Sequence, residues 1–155
     1  MSLWIALALT PLLAQANTAT VVSVGDGDSL RLRRGGTRLK VRLACIDAPE
    51  LRQRPEGERA RQALQALLPV ASAVAVRRLA TDRYGREVVE LSRRGRNVNQ
   101  ALVASGAAFV YWAYIRGCDR QTYGRLETEA RLRGLGVWAT PGGLLRPWEF
   151  RALGH

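Results

Sequence analysis

Arg38-Leu39-Lys40-Val41-Arg42-Leu43-Ala44-Cys45-Ile46-Asp47-Ala48-Pro49-Glu50 is the stretch on which the fold turns. Leu39, Val41, Leu43 and Cys45 alternate with Arg38, Lys40 and Arg42. A period of two puts the apolar side chains on one face of a strand and the cations on the other. Pro49 lacks a backbone donor and holds Ala48 extended, so the strand ends there and Asp47 and Glu50 fall in the turn beyond it.

The neighbouring segments supply partners for that strand. Residues 20–24 are rich in β-branched side chains, Gly25-Asp26-Gly27-Asp28 is a turn, and Leu30 and Leu32 alternate with Arg31 and Arg33 before Gly35-Gly36. A three-stranded meander results. Downstream the period changes. Ala60, Ala63, Leu64, Leu67 and Leu68 share one face of a helix predicted over 56–68 and stopped by Pro69. Strands are predicted at 74–79 and 87–91 around the turn Asp82-Arg83-Tyr84-Gly85. Asn97 caps a helix running to Ser105 and Gly106, and a last helix spans 120–133 with Tyr123, Leu126 and Ala130 inward, closed by Gly134. Five short strands, one helix after the third and two at the end predict an α+β fold, an OB-type five-stranded Greek-key barrel with three α-helices.

The length of 155 residues suits one domain. Residues 1–16 read as a signal peptide: residues 3–13 are almost wholly apolar and Ala14-Gln15-Ala16 offers a small-x-small cleavage site. The run is short for a bilayer span and Pro11 interrupts it, so no stable membrane insertion is expected. The expected organisation is therefore a leader at 1–16, a domain at 17–140 and a C-terminal tail at 141–155 that packs on the domain. Trp148 and Phe150 are the tail residues expected to fold back on the barrel. The expected location is secreted or periplasmic.

The formal net charge of +11 favours a polyanionic partner, although 23 arginines against one lysine also carry the mark of a GC-rich genome. The only histidine is His155, which excludes a Ser-His-Asp triad, a histidine base and a His-rich zinc site. Any metal should be a hard cation bound by oxygen. Only five aspartates are present, and four of them (Asp26, Asp28, Asp47 and Asp82) sit in turn-like motifs.

Taken singly, the polar motifs are ambiguous. Asp26-Gly27-Asp28 is either a pair of carboxylates at i and i+2 or an ordinary hairpin turn. Asp47 and Glu50 are either a site or a polar loop. Arg42 and Arg86 are either functional or solvated surface charge. Together they match what phosphodiester hydrolysis requires. Two aspartates hold a hard cation, two arginines neutralise phosphate oxygens with forked hydrogen bonds, and a carboxylate such as Glu50 orients or deprotonates the water.

Val24-Gly25-Asp26-Gly27-Asp28-Ser29, Arg42-Leu43-Ala44-Cys45-Ile46-Asp47-Ala48-Pro49-Glu50 and Asp82-Arg83-Tyr84-Gly85-Arg86 resemble, in order and spacing, three signature segments of the staphylococcal nuclease (thermonuclease) family. Asn97-Val98-Asn99-Gln100-Ala101-Leu102-Val103 looks like the family's second helix and Gly136-Val137-Trp138 like the end of its third. The resemblance covers residues 20–140. It implies an OB-fold and a Ca²⁺-dependent nuclease acting on DNA and RNA, expected to be a monomer. It implies Arg42, Glu50 and Arg86 as catalytic residues. Asp28, Asp47 and the Ala48 backbone carbonyl are implied as calcium ligands, with Asp26 acting through water. Ala48 stands where the best-known members have Thr, which removes a hydroxyl but keeps the carbonyl. Arg83, where Lys is frequent, and Tyr84 are implied as contacts to a terminal phosphate. Tyr111, Trp112 and Tyr114 lie where the family supplies aromatic contacts to the nucleotide. Two other readings remain: an OB module that binds nucleic acid without cutting it, and a phosphodiesterase for a small substrate.

Cys45 and Cys118 are the only cysteines. Export permits a disulfide, and in the family's fold the two regions lie close. A bridge closing a loop of about 70 residues contributes on the order of 4 kcal/mol by chain entropy. The alternative is a buried Cys45 thiol on an apolar strand face.

Overall fold

The computed structural model describes residues 17–154. The expected leader lies outside the described residues. No described helix is long and apolar enough to cross a membrane.

Five long strands form the wall of a barrel: β1 (Thr18–Val24), β2 (Ser29–Arg34), β3 (Thr37–Leu43), β5 (Ala73–Thr81) and β6 (Glu87–Arg93). They follow the order β3-β2-β1-β5-β6, and β3 closes on β6 through a parallel pairing that sets Arg42 beside Val88. Irregularities in the register between Val21 and Ser23 and between Arg78 and Ala80 bend β1 and β5 where closure requires it. This closed mixed barrel with helices is an OB-fold of the α+β class. Alternation delivers its interior as the sequence predicts: Leu30, Leu32, Val41, Leu43, Val89 and Leu91 point inward. Leu64 and Leu68 of the first helical segment and Leu102 of the second complete the core with no exposure. Truncating such a leucine to alanine costs about 2–5 kcal/mol.

Helices α1 (Glu56–Leu67), α2 (Val98–Ala104) and α3 (Arg120–Leu132) stand within a residue or two of their predicted bounds. Asn97 caps α2 by accepting from the Gln100 amide, and Asp119 caps α3 through Thr122. Buried polar groups lock helices to strands. Asn99 donates to the carbonyls of Ala44 and Val89 and accepts from the Leu91 amide. Tyr123 donates to Glu90, whose other oxygen takes Arg77. Burial, and then the Glu90 carboxylate, push the Tyr123 phenol far above its ordinary value.

Two expectations are corrected. The central strand does not run to Cys45. It ends at Leu43, and Cys45 takes a left-handed φ of 66°. That turn frees Ile46–Asp47 to pair, as β4, with Phe109–Val110, here β8. Arg96–Asn97, β7, adds one more short pairing to β6. Cys45 is bonded to Cys118, with their Cα atoms 6.5 Å apart. The helix count is also larger. The tail carries a fourth helix, α4 (Pro147–Ala152), seated on a second cluster of Phe109, Ala130, Val137 and Trp138.

Candidate active site

The β1–β2 turn and the end of β3 meet at Asp28. Its carbonyl accepts from the Leu43 amide, and its Oδ2 accepts from the Ala48 amide at 2.8 Å. Gly27 makes that approach possible: a Cβ there would stand 2.6 Å from the Ala60 Cβ and 2.7 Å from the Ala48 Cβ. Asp28 is buried, and among the described residues only its Oδ2 takes a hydrogen bond. Burial first, then the nearby Asp26 charge, raise its pKa well above the ordinary aspartate value; Arg42 offsets only part of this. Asp26 itself is spent on the turn. Its Oδ1 accepts from the amides of Asp28 and Ser29 and from the Ser29 hydroxyl.

Asp47 lies opposite, 1 % exposed at the side chain. Arg42, projecting from the polar face of β3, donates to Asp47 Oδ1 at 3.2 Å. Burial disfavours the Arg42 charge, but Asp28 and Asp47 outweigh it and hold the guanidinium protonated. Glu50 follows in a loop stapled by Gln53: the Glu50 amide donates to Gln53 Oε1, and the Gln53 amide donates to the Glu50 carbonyl. Gly57, at the start of α1, packs against the Glu50 backbone so closely that any Cβ would collide with its carbonyl.

A residue absent from the expected set completes this cluster. Arg151, from α4, donates through Nη2 to Asp47 Oδ2 at 2.6 Å and through Nη1 to both Asp47 Oδ1 at 3.2 Å and Glu50 Oε1 at 2.6 Å. Hydrogen bonding to Asp47 raises its pKa above the ordinary arginine value. Nothing in local spacing announces this partner, 104 residues from Asp47. The only hint is an arginine beside Trp148 and Phe150, the two large aromatics of the tail.

Arg86 makes no direct contact with that cluster. It belongs to the β5–β6 hairpin, where its Nε donates to Asp82 Oδ2 at 2.7 Å. Its position is nevertheless tied to Arg42. Val88 is paired with Arg42, and Arg86 lies two residues before it in the turn that leads into β6. Burial works against the Asp82 charge, but donors from Arg86 and Tyr84 prevail and hold its pKa below the usual range. Arg83 donates to the Tyr84 hydroxyl, and the Tyr84 ring lies under both Arg83 and Arg86, at 4.9 and 5.6 Å. Among the aromatics, Tyr111 stacks on Trp148, while Trp112 donates to Glu127 and Tyr114 stays 66 % exposed.

Among the described residues, no group of three or more His, Cys, Asp or Glu side chains forms a metal cage. The groups that do converge are carboxylates and loop backbone, the hard oxygen donors that suit Ca²⁺ or Mg²⁺ when waters complete the shell. Asp28 is the observation that favours a cation: a buried carboxylate whose Oδ1 takes no hydrogen bond among the described residues.

Residues 40–140 match the staphylococcal nuclease homologue family. The chain belongs to that family. It is 41 % identical over 140 residues to protein ParB of Escherichia coli, covering 84 % of this chain and 77 % of the relative. It is 38 % identical over 140 residues to micrococcal nuclease of Shigella flexneri, covering 84 % and 78 %. An uncharacterized endonuclease of Haemophilus influenzae is 35 % identical over 126 residues, covering 81 % and 68 %. The matched region takes in β3 from Lys40 onward, the Asp47–Glu50 loop and the Arg86 hairpin; Asp28 precedes it and Arg151 follows it.

Proposed function

We propose that the chain is an exported, Ca²⁺-dependent nuclease that hydrolyses phosphodiester bonds of DNA and RNA. The single observation that carries this reading is Asp28 facing the Asp47 loop, with Arg42 between the two charges. Asp28, Asp47 and the Ala48 carbonyl would hold the cation, and Asp26 would reach it through water. The bound ion would supply Lewis acidity at a phosphate oxygen and a template for the substrate. Arg42 and Arg86 then neutralise equatorial oxygens as charge accumulates on them. Glu50 orients the attacking water or takes its proton, the new P–O bond forms, and the ester oxygen leaves. Arg83 and Tyr84, exposed on the hairpin beside Arg86, would contact a terminal phosphate.

The strand face bearing Arg42 supports a polymeric anion as substrate. It continues through Lys40 and Arg38, directly opposite Arg31 and Arg33 on β2. Like charges opposed across strands are destabilising, and no acid pairs with these four among the described residues. A phosphate backbone would relieve them.

Plasmid DNA and a structured RNA, incubated with Ca²⁺ and with chelator, test the proposal. Cleavage of both with Ca²⁺ and of neither in chelator is expected. Undiminished cleavage in chelator removes the metal assignment, and binding without cleavage under any divalent ion favours a non-catalytic module. Hydrolysis of a small chromogenic phosphodiester in preference to polymer would instead indicate a small-substrate phosphodiesterase.

A further inference from the structure

The tail beyond the family's matched region delivers one side chain, Arg151, to the candidate site. A single guanidinium there touches two carboxylates with different tasks. Nη1 of Arg151 is shared by Asp47 Oδ1 and Glu50 Oε1, and Nη2 holds Asp47 Oδ2. Arg42 reaches Asp47 but not Glu50. Arg151 is also the only side-chain partner of the Glu50 carboxylate among the described residues.

We propose that Arg151 is a positioning residue of the active site, fixing Glu50 at a set distance from Asp47. Two carboxylates brought this close repel each other. Glu50, a third exposed, has solvent into which to swing; Asp47, buried, does not. A planar guanidinium between them offsets that repulsion and holds them near, and its fork sets their relative orientation. An exposed ion pair contributes little, but this one closes on a side chain with 1 % exposure. Outer partners of ligating carboxylates act in the same way, by fixing the direction of the oxygen that faces the cation.

The way Arg151 is delivered supports the same role. A six-residue helix has no stability of its own, yet α4 is held along its length. Pro147 is buried. Trp148 stacks face to face on Tyr111, with centroids 4.9 Å apart and planes 4° apart, and meets Phe109 edge-on at 6.2 Å. Before the helix, the Leu145 carbonyl accepts from Gln53 Nε2 at 2.8 Å. Gln53 is also the side chain that staples the Glu50 amide. The tail therefore grips the Asp47–Gln53 loop at two points.

The kinetic arm of the test rests on the nuclease reading above, whereas the exchange arm does not. In full-length protein, Arg151→Ala should lower kcat on polymer DNA on the order of ten- to a hundredfold with KM nearly unchanged. Arg151→Lys should recover only part of the loss, because an ammonium cannot fork across two carboxylates. In a Glu50→Ala background the cost of Arg151→Ala should largely vanish. Without metal or substrate, amide hydrogen exchange at residues 50–53 should rise in Arg151→Ala. Turnover at or above wild type overturns the proposal and makes the tail a competitor for the carboxylates. Costs that simply add with Glu50→Ala also overturn it, as does faster exchange confined to 147–152. If the wild-type chain cleaves nothing, the nuclease reading fails, and exchange at 50–53 decides the role of Arg151 by itself.

Discussion

Arg42 and Arg86, the two arginines proposed to meet the phosphate, are held in different ways. Arg42 lies among acids that are themselves buried, with Asp28 and Asp47 drawing its charge inward. Arg86 is held by an acid of its own hairpin four residues away, beside the exposed ring of Tyr84. One region concentrates negative charge in low dielectric, where a cation is the natural complement. The other presents arginines on an aromatic platform, where a phosphate is. Separation leaves Arg86 outside the Asp47 cluster, to which Arg42 donates.

The largest effect should come from removing one group from each region. Arg42→Ala, Glu50→Ala and Arg86→Ala are each expected to lower kcat by roughly 10²–10³, the size seen when a transition-state donor is lost, without unfolding the chain. If both arginines meet the same phosphate, Arg42→Ala combined with Arg86→Ala costs less than the product of the single losses. A wild-type rate in Arg86→Ala would break the comparison and confine the chemistry to the carboxylate region.

Next in size is the disulfide, which supports only one of the two regions. Cys45 precedes Asp47 by two residues, while the hairpin has no covalent tie. Cys45→Ser with Cys118→Ser should lower unfolding free energy by about 4 kcal/mol in denaturant titration. Hydrogen exchange should rise around residues 45–50 more than around 82–86. An even rise across both would show the bridge acting on the unfolded chain alone.

The two acids should then respond to pH with opposite sign. Asp28 has a raised folded pKa, so its contribution to stability is fully present below the ordinary value near 4 and is lost as pH rises through the folded value. Asp82 has a lowered folded pKa, so its contribution is present above about 4 and is lost as pH falls through the folded value. Melting in chelator across this range should show Asp28→Asn gaining on wild type toward neutral pH, by roughly 3 °C for 1 kcal/mol in a domain of this length. Asp82→Asn should lose ground over the same range. Ca²⁺ should raise the wild-type melting point and leave Asp28→Asn unmoved. Parallel pH profiles for the two variants would contradict the assigned environments.

The smallest effect is expected at the hairpin's rim. Arg83→Ala and Tyr84→Phe should raise KM for short oligonucleotides a few-fold, with kcat retained, since an exposed charged contact is worth about 1 kcal/mol or less. Steady-state kinetics on 5′-phosphorylated and unphosphorylated oligonucleotides would locate the contact.

Much of this was legible in the chain. The alternation at Leu39, Val41 and Leu43 reported a half-buried strand because the side-chain period of a strand is fixed by covalent geometry. The Asn97 cap, Gly106 and Gly134 marked helix ends because orphan backbone groups need particular residues. Arg42 bonds Asp47, the Ala48 amide bonds Asp28, and Arg151 links Asp47 to Glu50. Alternation carries no information about φ, so it extends the strand to Cys45, where the chain instead turns with a positive φ ahead of β4, the partner of β8. Asp26 looked like a twin of Asp28, but one accepts from its own turn and the other from the amide of Ala48, 20 residues on.

By itself the sequence determined the five barrel strands and the first three helices, the excess of positive charge, the absence of histidine chemistry and the list of acids and arginines. These follow from local geometry and composition. Only the tertiary structure decided which of 23 arginines matter to which acid. It set Arg42 against Asp47 and kept Arg86 with Asp82. It also brought Arg151 across 104 residues to Asp47 and Glu50. The reason is physical: a guanidinium recognises a carboxylate by distance and angle in space, and a local sequence pattern records neither once the partners are far apart in the chain.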